Sequence, residues 1–357
     1  MTVKSDPDRG MRFLVFVAAL VIIIEGINQA QSVLVAFLVA VFFAIIGTPP
    51  VLWLERKRIP SVVAVLLVVA GMITILLIVG AIVGASINSF YTELPFYQIR
   101  LQEQGSAFQS FLATKGIRGM DKVLLGFVNP GAVMSLTARL LARLGSALSN
   151  IVLILLTVTF ILLEASSFPV KLRAVLADPQ QEFPQFTRFV GDIGRYMIIK
   201  TLISLTAGIL IGIWLFILGV DFPILWGFLA FLLHYVPNVG FLIAAIPAVL
   251  LSLVQLGIGS ASFAAAGYLT INFVLGNMVE PKLMGRRLGL STLAVFLSLI
   301  FWGSLLGPIG MVLCIPLTMT LKFACENNKG TQWIAVLLGP DAPTERIPPV
   351  SKRSKNE

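Results

Sequence analysis

The stretch PILWGFLAFLLHYVPNVGFLIAAIPAVLLSLVQLGI, residues 223–258, decides how this chain folds. Two apolar runs, Pro223–Tyr235 and Phe241–Ile258, flank the four residues Pro237-Asn238-Val239-Gly240. Proline has no backbone N–H and glycine accepts dihedrals closed to other residues, so this tetrapeptide ends one helix and lets another begin. The first run has 13 residues. That is short of the roughly 20 needed to cross a hydrocarbon core as a helix. From Thr201 through Pro281 no Lys or Arg occurs, although a further apolar run, Ser260–Gly276, lies in the same interval. Only after it come Lys282, Arg286 and Arg287.

Working outward, the basic residues fix the parity of crossings. Short loops rich in Lys and Arg stay in the cytoplasm. The amino terminus (Lys4, Arg9, Arg12), the Arg56–Arg58 loop and the segment Glu164–Arg195 (Lys171, Arg173, Arg188, Arg195) are therefore expected inside. Spans are expected at Met11–Ile24, Val33–Ile46, Ser61–Ile87, Leu144–Leu163 and Tyr196–Val220, the last ending outside at Asp221. From there the chain needs an odd number of crossings to bring Lys282 inside. A hairpin over 223–258 that enters and leaves by one face, or a pair of thin crossings, satisfies this. Leu290–Phe323 poses the same problem. It is interrupted at Gly303 and at Gly307-Pro308-Ile309-Gly310, and it runs from the Lys282 cluster to Lys322, Lys329 and the basic tail Arg346–Lys355. Inside to inside again implies a hairpin or two crossings. Both second arms are apolar up to a proline, Pro247 in one and Pro316 in the other.

The expected fold class is thus all-α: a polytopic membrane protein with about six spans plus two opposed re-entrant helical hairpins, or about eight segments if the hairpins cross. Its parts are an N-terminal three-helix region (1–87), an amphipathic extramembrane segment (88–146), a region with both hairpins (147–325) and a basic cytoplasmic tail (326–357). The amphipathic reading rests on Val133, Leu136, Leu140, Leu141, Leu144 and Leu148 at helical spacing, with Arg139 and Arg143 on the other side. That segment either lies on the bilayer or packs on a second copy.

Composition agrees. Of 357 residues 57% are hydrophobic and 12% charged, about half the charge of a soluble domain. The basic residues behind the net charge of +9 cluster in a few short segments between apolar runs, so nucleic acid is not an expected partner. Cys314 and Cys325 lack metal-ligand spacing. The single histidine rules out a His-Glu-x-x-His zinc site, and no phosphate loop is present. No catalytic residues, metal or cofactor are expected.

Non-helical backbone inside a bilayer is tolerated where protein buries it or where it lines an aqueous cavity. Opposed broken helices are how inverted-repeat carriers build substrate and ion sites. The candidate pathway residues are therefore Pro237, Asn238, Gly240, Asn272, Asn277, Glu280, Pro281, Gly307, Pro308 and Gly310. His234 and Glu280 are candidates for proton coupling, because both titrate near neutral pH after modest shifts. The competing structural reading pairs Glu280 with Lys282 or Arg286 and gives His234 a backbone carbonyl. Lys200, placed in the first turns of the fifth span, is expected to snorkel to the surface.

The run Asn277-Met278-Val279-Glu280-Pro281-Lys282-Leu283-Met284-Gly285, with Pro237-Asn238-Val239-Gly240, Pro247, Gly303, Gly307, Gly310 and Pro316, resembles the autoinducer-2 exporter family. Val190-Gly191-Asp192-Ile193-Gly194-Arg195-Tyr196 and Leu218-Gly219 fit the same pattern. The sequence departs from it at Thr292 and His234. The resemblance implies a bacterial inner-membrane carrier that exports a small molecule such as autoinducer-2, coupled to an ion gradient and assembled as a homo-oligomer. A sodium–proton antiporter and, from another class, a membrane scaffold are the alternatives.

Overall fold

The computed structural model describes residues 7–114, 151–165, 167–175, 182–237, 239–284, 289–327 and 330–340, and every regular element among them is helical. The amphipathic pattern around Val133–Leu148, the tip residue Asn238, the cations Arg286, Arg287 and Lys329, and the tail Arg346–Lys355 lie outside the described residues. The chain is an all-α polytopic membrane protein. Among the described residues five helices are long and apolar enough to cross a bilayer, and side chains such as Leu77, Val152 and Phe216 point outward from the helices.

The first three helices are α1 (Pro7–Gln29), α2 (Gln31–Arg56) and α3 (Ser61–Thr114). Along α2, Ala36, Ala40, Ala44 and Gly47 form a row of small buried residues. Small residues let helices approach closely where no hydrophobic drive separates lipid from protein. Against this row pack Ala64, Val65 and Val69 of α3, and Ile154, Val158 and Leu162 of α4 (Ile151–Ala165). Helix α3 continues without a break past Asn88 and Pro95 to Thr114. At 1.5 Å per residue it is about 80 Å long, so the change of composition at residue 88 falls inside one helix and not at an element boundary.

After α5 (Phe168–Val175) comes the central post, α6 (Glu182–Leu218). Helix α7 (Pro223–Leu233) descends antiparallel along it. Gly212 faces Pro223, Gly208 faces Gly227 so closely that a Cβ on either would sit 2.6 Å from the other's carbonyl oxygen, and Thr201 meets Tyr235. Helix α8 (Gly240–Leu256) then returns, so that Gln255 is back beside Asp221. Residues 223–256 are therefore a hairpin. Its turn is compact: a Cβ on Gly240 would lie 1.8 Å from the Leu233 oxygen. At its base, Tyr97 of α3 is hydrogen-bonded to Glu93 and, at 2.8 Å, to Asp221 Oδ2. Gln255 Nε2 donates to the same Asp221 oxygen.

Helix α9 (Ile258–Asn272) descends next to α6, with the Trp214 indole donating to the Phe263 carbonyl at 3.1 Å. It runs through a π-helical stretch (Phe273–Val279) into α10 (Glu280–Met284). Ser291 caps α11 (Thr292–Glu326), its hydroxyl accepting from the Ala294 N–H at 3.1 Å, and α12 (Gln332–Leu338) comes last.

Helix α11 is two arms. Gly307 has φ +67° and ψ −149°, outside any helix. Across it, Trp302 Nε1 donates to Thr318 Oγ1 at 3.0 Å. In a straight helix those residues would be about 24 Å apart along the axis. The break expected at Gly303 does not occur: Gly303 is helical and buried, packed against Met311 of the other arm. At Gly310 a Cβ would lie 1.9 Å from the Trp302 oxygen and 2.8 Å from Leu306 Cβ. At Gly240 the matching contacts are the Leu233 oxygen and Val236 Cβ, the latter at 2.7 Å. The two tips share one close-approach glycine, as their sequence similarity suggested. A Trp302→Phe, Thr318→Val double-mutant cycle read by thermal unfolding is expected to give a coupling of about 1 kcal/mol, the worth of one hydrogen bond. A continuous helix would give zero.

Candidate functional site

Where the first hairpin turns, three ionisable side chains from separate elements converge. Lys200, on α6, is 4% exposed. Its ammonium donates to both oxygens of Glu280, at 2.8 and 3.0 Å. His234, at the end of α7, places Nε2 3.9 Å from Glu280 Oε2, beyond hydrogen-bond length. Among the described residues Nε2 has no hydrogen-bond partner. The His234 ring packs edge-on against Phe241, centroids 5.3 Å apart.

Each position has a local cause. Lys200 does not snorkel as the sequence suggested. Helix α6 begins at Glu182, not near Tyr196, so Lys200 sits about five turns inside it, too deep to reach a helix end. Glu280 comes directly after the π-helical stretch, and its N–H donates to the Leu275 carbonyl. An i−5 bond widens the turn and rotates the succeeding residues around the axis; such stretches are common at functional sites. Here it turns Glu280 toward α6 and Lys200; of the two partners expected from sequence proximity, Lys282 forms no ion pair with it among the described residues and Arg286 lies outside them. His234 is held by its neighbour: Tyr235 donates to Thr201 Oγ1 at 2.8 Å and packs edge-on against Phe42 of α2.

The second hairpin reaches this place with its middle, not its tip. Leu313, Cys314 and Ile315 pack with Tyr196, Met197 and Val236, and Cys314 is within electrostatic reach of Lys200. Its tip lies elsewhere: Gly307 is beside the Gln31 amide at the start of α2. Of the sequence candidates, the fold brings His234 and Glu280 together close to the turn that holds Pro237 and Gly240. Asn272 is half-buried on α9, while Asn277 and Pro281 are exposed. Gly307, Pro308 and Gly310 form the second tip, apart from the pair. Lys200 is the member that sequence reasoning missed.

A buried ammonium–carboxylate pair is seldom the most stabilising way to fill a helix interface, since removing both charges from water costs several kcal/mol each. In a bilayer, ionisable groups in the protein interior mark ion and substrate paths. A helical membrane protein with two folded-back hairpins and such a pair beside the first of them fits the class of transport proteins. The chain is a member of the AI-2E transporter family, whose sequence model matches residues 12–329. It is 41% identical over 329 residues to the AI-2 transport protein TqsA of Escherichia coli (strain K12), covering 92% of this chain and 96% of that one. The putative transport protein YhhT of the same organism is 37% identical over 344 residues, covering 96% and 99%. A putative transport protein of Haemophilus influenzae is 35% identical over 335 residues, covering 92% and 96%.

Proposed function

We propose that this protein is a proton-coupled secondary carrier that exports a small polar molecule of the autoinducer-2 kind across the bacterial inner membrane. Its hairpins are re-entrant from opposite faces and its two termini are cytoplasmic. The observation that carries this reading is the Lys200–Glu280 pair, its lysine buried, beside His234 of the first hairpin. Protonating Glu280 removes the counter-charge and leaves the Lys200 ammonium alone in a low-dielectric interior. That state is several kcal/mol unfavourable until water or substrate solvates it. The same proton thus loosens α10 from α6 beside the first tip and opens a path lined by Pro237 and Gly240. Return of Glu280 to its charged form closes it. His234 is the nearest alternative proton acceptor. The residues of the second tip, Gly307, Pro308 and Gly310, gate the other face, and Asn272, Asn277 and Pro281 complete the moving helix. The relative named for AI-2 transport supports the substrate class, and the apolar flanks suit lipid and neighbouring copies in a homo-oligomer.

The test is transport in liposomes. Purified protein is expected to expel trapped, labelled autoinducer-2 against an inward proton gradient, and a protonophore should abolish this. Sodium-driven proton movement with no autoinducer-2 flux would assign the pair to the sodium–proton antiporter alternative instead. No flux under either gradient would refute the carrier reading.

A further inference from the structure

Between the first turns of α6 and the last turns of α11 the surface folds inward to a groove of about 550 Å³, within the size range of small-molecule sites. Its apolar wall is a ring pair. Phe189 of α6 and Phe323 of α11 stack nearly parallel, with centroids 4.2 Å apart. Beside the rings stand two cations, Arg188 and Lys322, and two carboxylates, Asp192 and Glu326. The charges lining the groove therefore cancel.

The two halves of this lining are employed differently. Lys322 is a brace: its ammonium donates to the Gly289 carbonyl at 2.7 Å and lies 3.4 Å from Glu326. Arg188 and Asp192 are four residues apart on α6, the spacing at which opposite charges on a helix ordinarily meet. Yet neither makes an ion pair or a side-chain hydrogen bond among the described residues. A guanidinium only donates and a carboxylate only accepts, whereas a hydroxyl does both. A ligand with neighbouring hydroxyls therefore satisfies Arg188 and Asp192 together, and its apolar face can lie on the phenylalanine rings. An anionic ligand would gain Arg188 but meet two carboxylates at close range, and a cation would meet the reverse. The groove also opens on the interface that leads to the buried pair. Ile193, Tyr196 and Met197 of α6 pack with Met319, Ile315 and Cys314 of α11 in one cluster. Lys200 is eight residues beyond Asp192, about 12 Å along the same helix.

We infer that this groove is the loading site of the carrier and that it takes a small, uncharged, polyhydroxylated molecule. Asp192 accepts from the ligand's hydroxyls, Arg188 donates to their oxygens, and the Phe189–Phe323 stack supports the carbon face. The site lies on the side that the carrier reading makes cytoplasmic, where exported cargo is collected. Its role in export rests on that reading; its binding of the ligand does not.

Two measurements on the full-length protein test this. The first is equilibrium dialysis of labelled autoinducer-2 against detergent-solubilised protein, in competition with a neutral pentose and with its phosphate ester. Asp192→Asn and Arg188→Gln are each expected to weaken binding at least about tenfold, the worth of a hydrogen bond to a charged group. Melting temperatures should be unchanged, since neither side chain holds the fold. The pentose should compete and the ester should not. Lys171→Gln removes a cation that is paired with Glu164 outside the groove, and it should bind as native. The second is export from liposomes, where both groove variants should raise KM by the same factor and leave kcat within about twofold, the pattern of lost binding. Native-like binding by both variants, no binding by the native protein, or equal competition by the ester would overturn the site. Binding that follows these expectations without any export by the native protein would keep the site and sink the carrier reading instead.

Discussion

Glu280→Gln is expected to abolish proton-driven export, down to the level of empty liposomes, and to destabilise the protein by about 3–5 kcal/mol. The stability loss arises because Lys200, 5% exposed at its side chain, is left as an uncompensated buried cation, and breaking one side of a buried pair carries about that penalty. The Glu280 side is 20% exposed, which places the loss toward the lower end. The Lys200→Met, Glu280→Met double variant separates structure from function. With both charges gone the interface is apolar on both sides, and replacing a buried pair in this way is often neutral or stabilising. We expect unfolding stability to return to within about 1 kcal/mol of native while transport stays at background. If the double variant recovers transport along with stability, the pair is only a structural contact.

Gly240→Ala and Gly310→Ala are expected to cost about 3 kcal/mol or more each, with much reduced yield of folded protein, because overpacking at a rigid contact is not relieved locally. The added Cβ would meet backbone, the Leu233 oxygen at 1.8 Å in one case and the Trp302 oxygen at 1.9 Å in the other. Only separation of the hairpin arms makes room. Gly84→Ala is the control: it lies in α3 with nothing within 4 Å of a Cβ, and it should gain about 0.5–1 kcal/mol from helix propensity. Thermal unfolding in detergent reads all three. Tolerance of alanine at both tips would mean that the arms are not held together there.

How local a signal is decides whether the sequence discloses it. Both hairpins were legible because Pro237–Gly240 and Gly307–Gly310 mark breaks within a few residues, and the cations of the loops restrict the number of crossings. The close approach at Gly240 and Gly310 comes from the same motif. The Lys200–Glu280 pair was not legible. Its members are separated by 80 residues, and Lys200 read as a residue near a helix start until α6 was seen to begin at Glu182. Nor does any residue type announce the π-helical turn Phe273–Val279 that aims Glu280 at α6. The contact of Tyr97 with Asp221 joins residues 124 apart, and that pairing too is fixed only by tertiary packing.

Transport by this mechanism requires that the broken backbone of the tips meet water. Val239 is at the first tip and 36% exposed, and both native cysteines are buried, so a Val239→Cys variant reports on that tip with little background. Labelling intact liposomes with a membrane-impermeant maleimide, added to one face and then the other, should modify the introduced thiol at a rate that changes when the proton gradient is reversed. Reaction only with a lipid-soluble reagent, and none with the impermeant one from either face, would contradict a water-lined path through the hairpins.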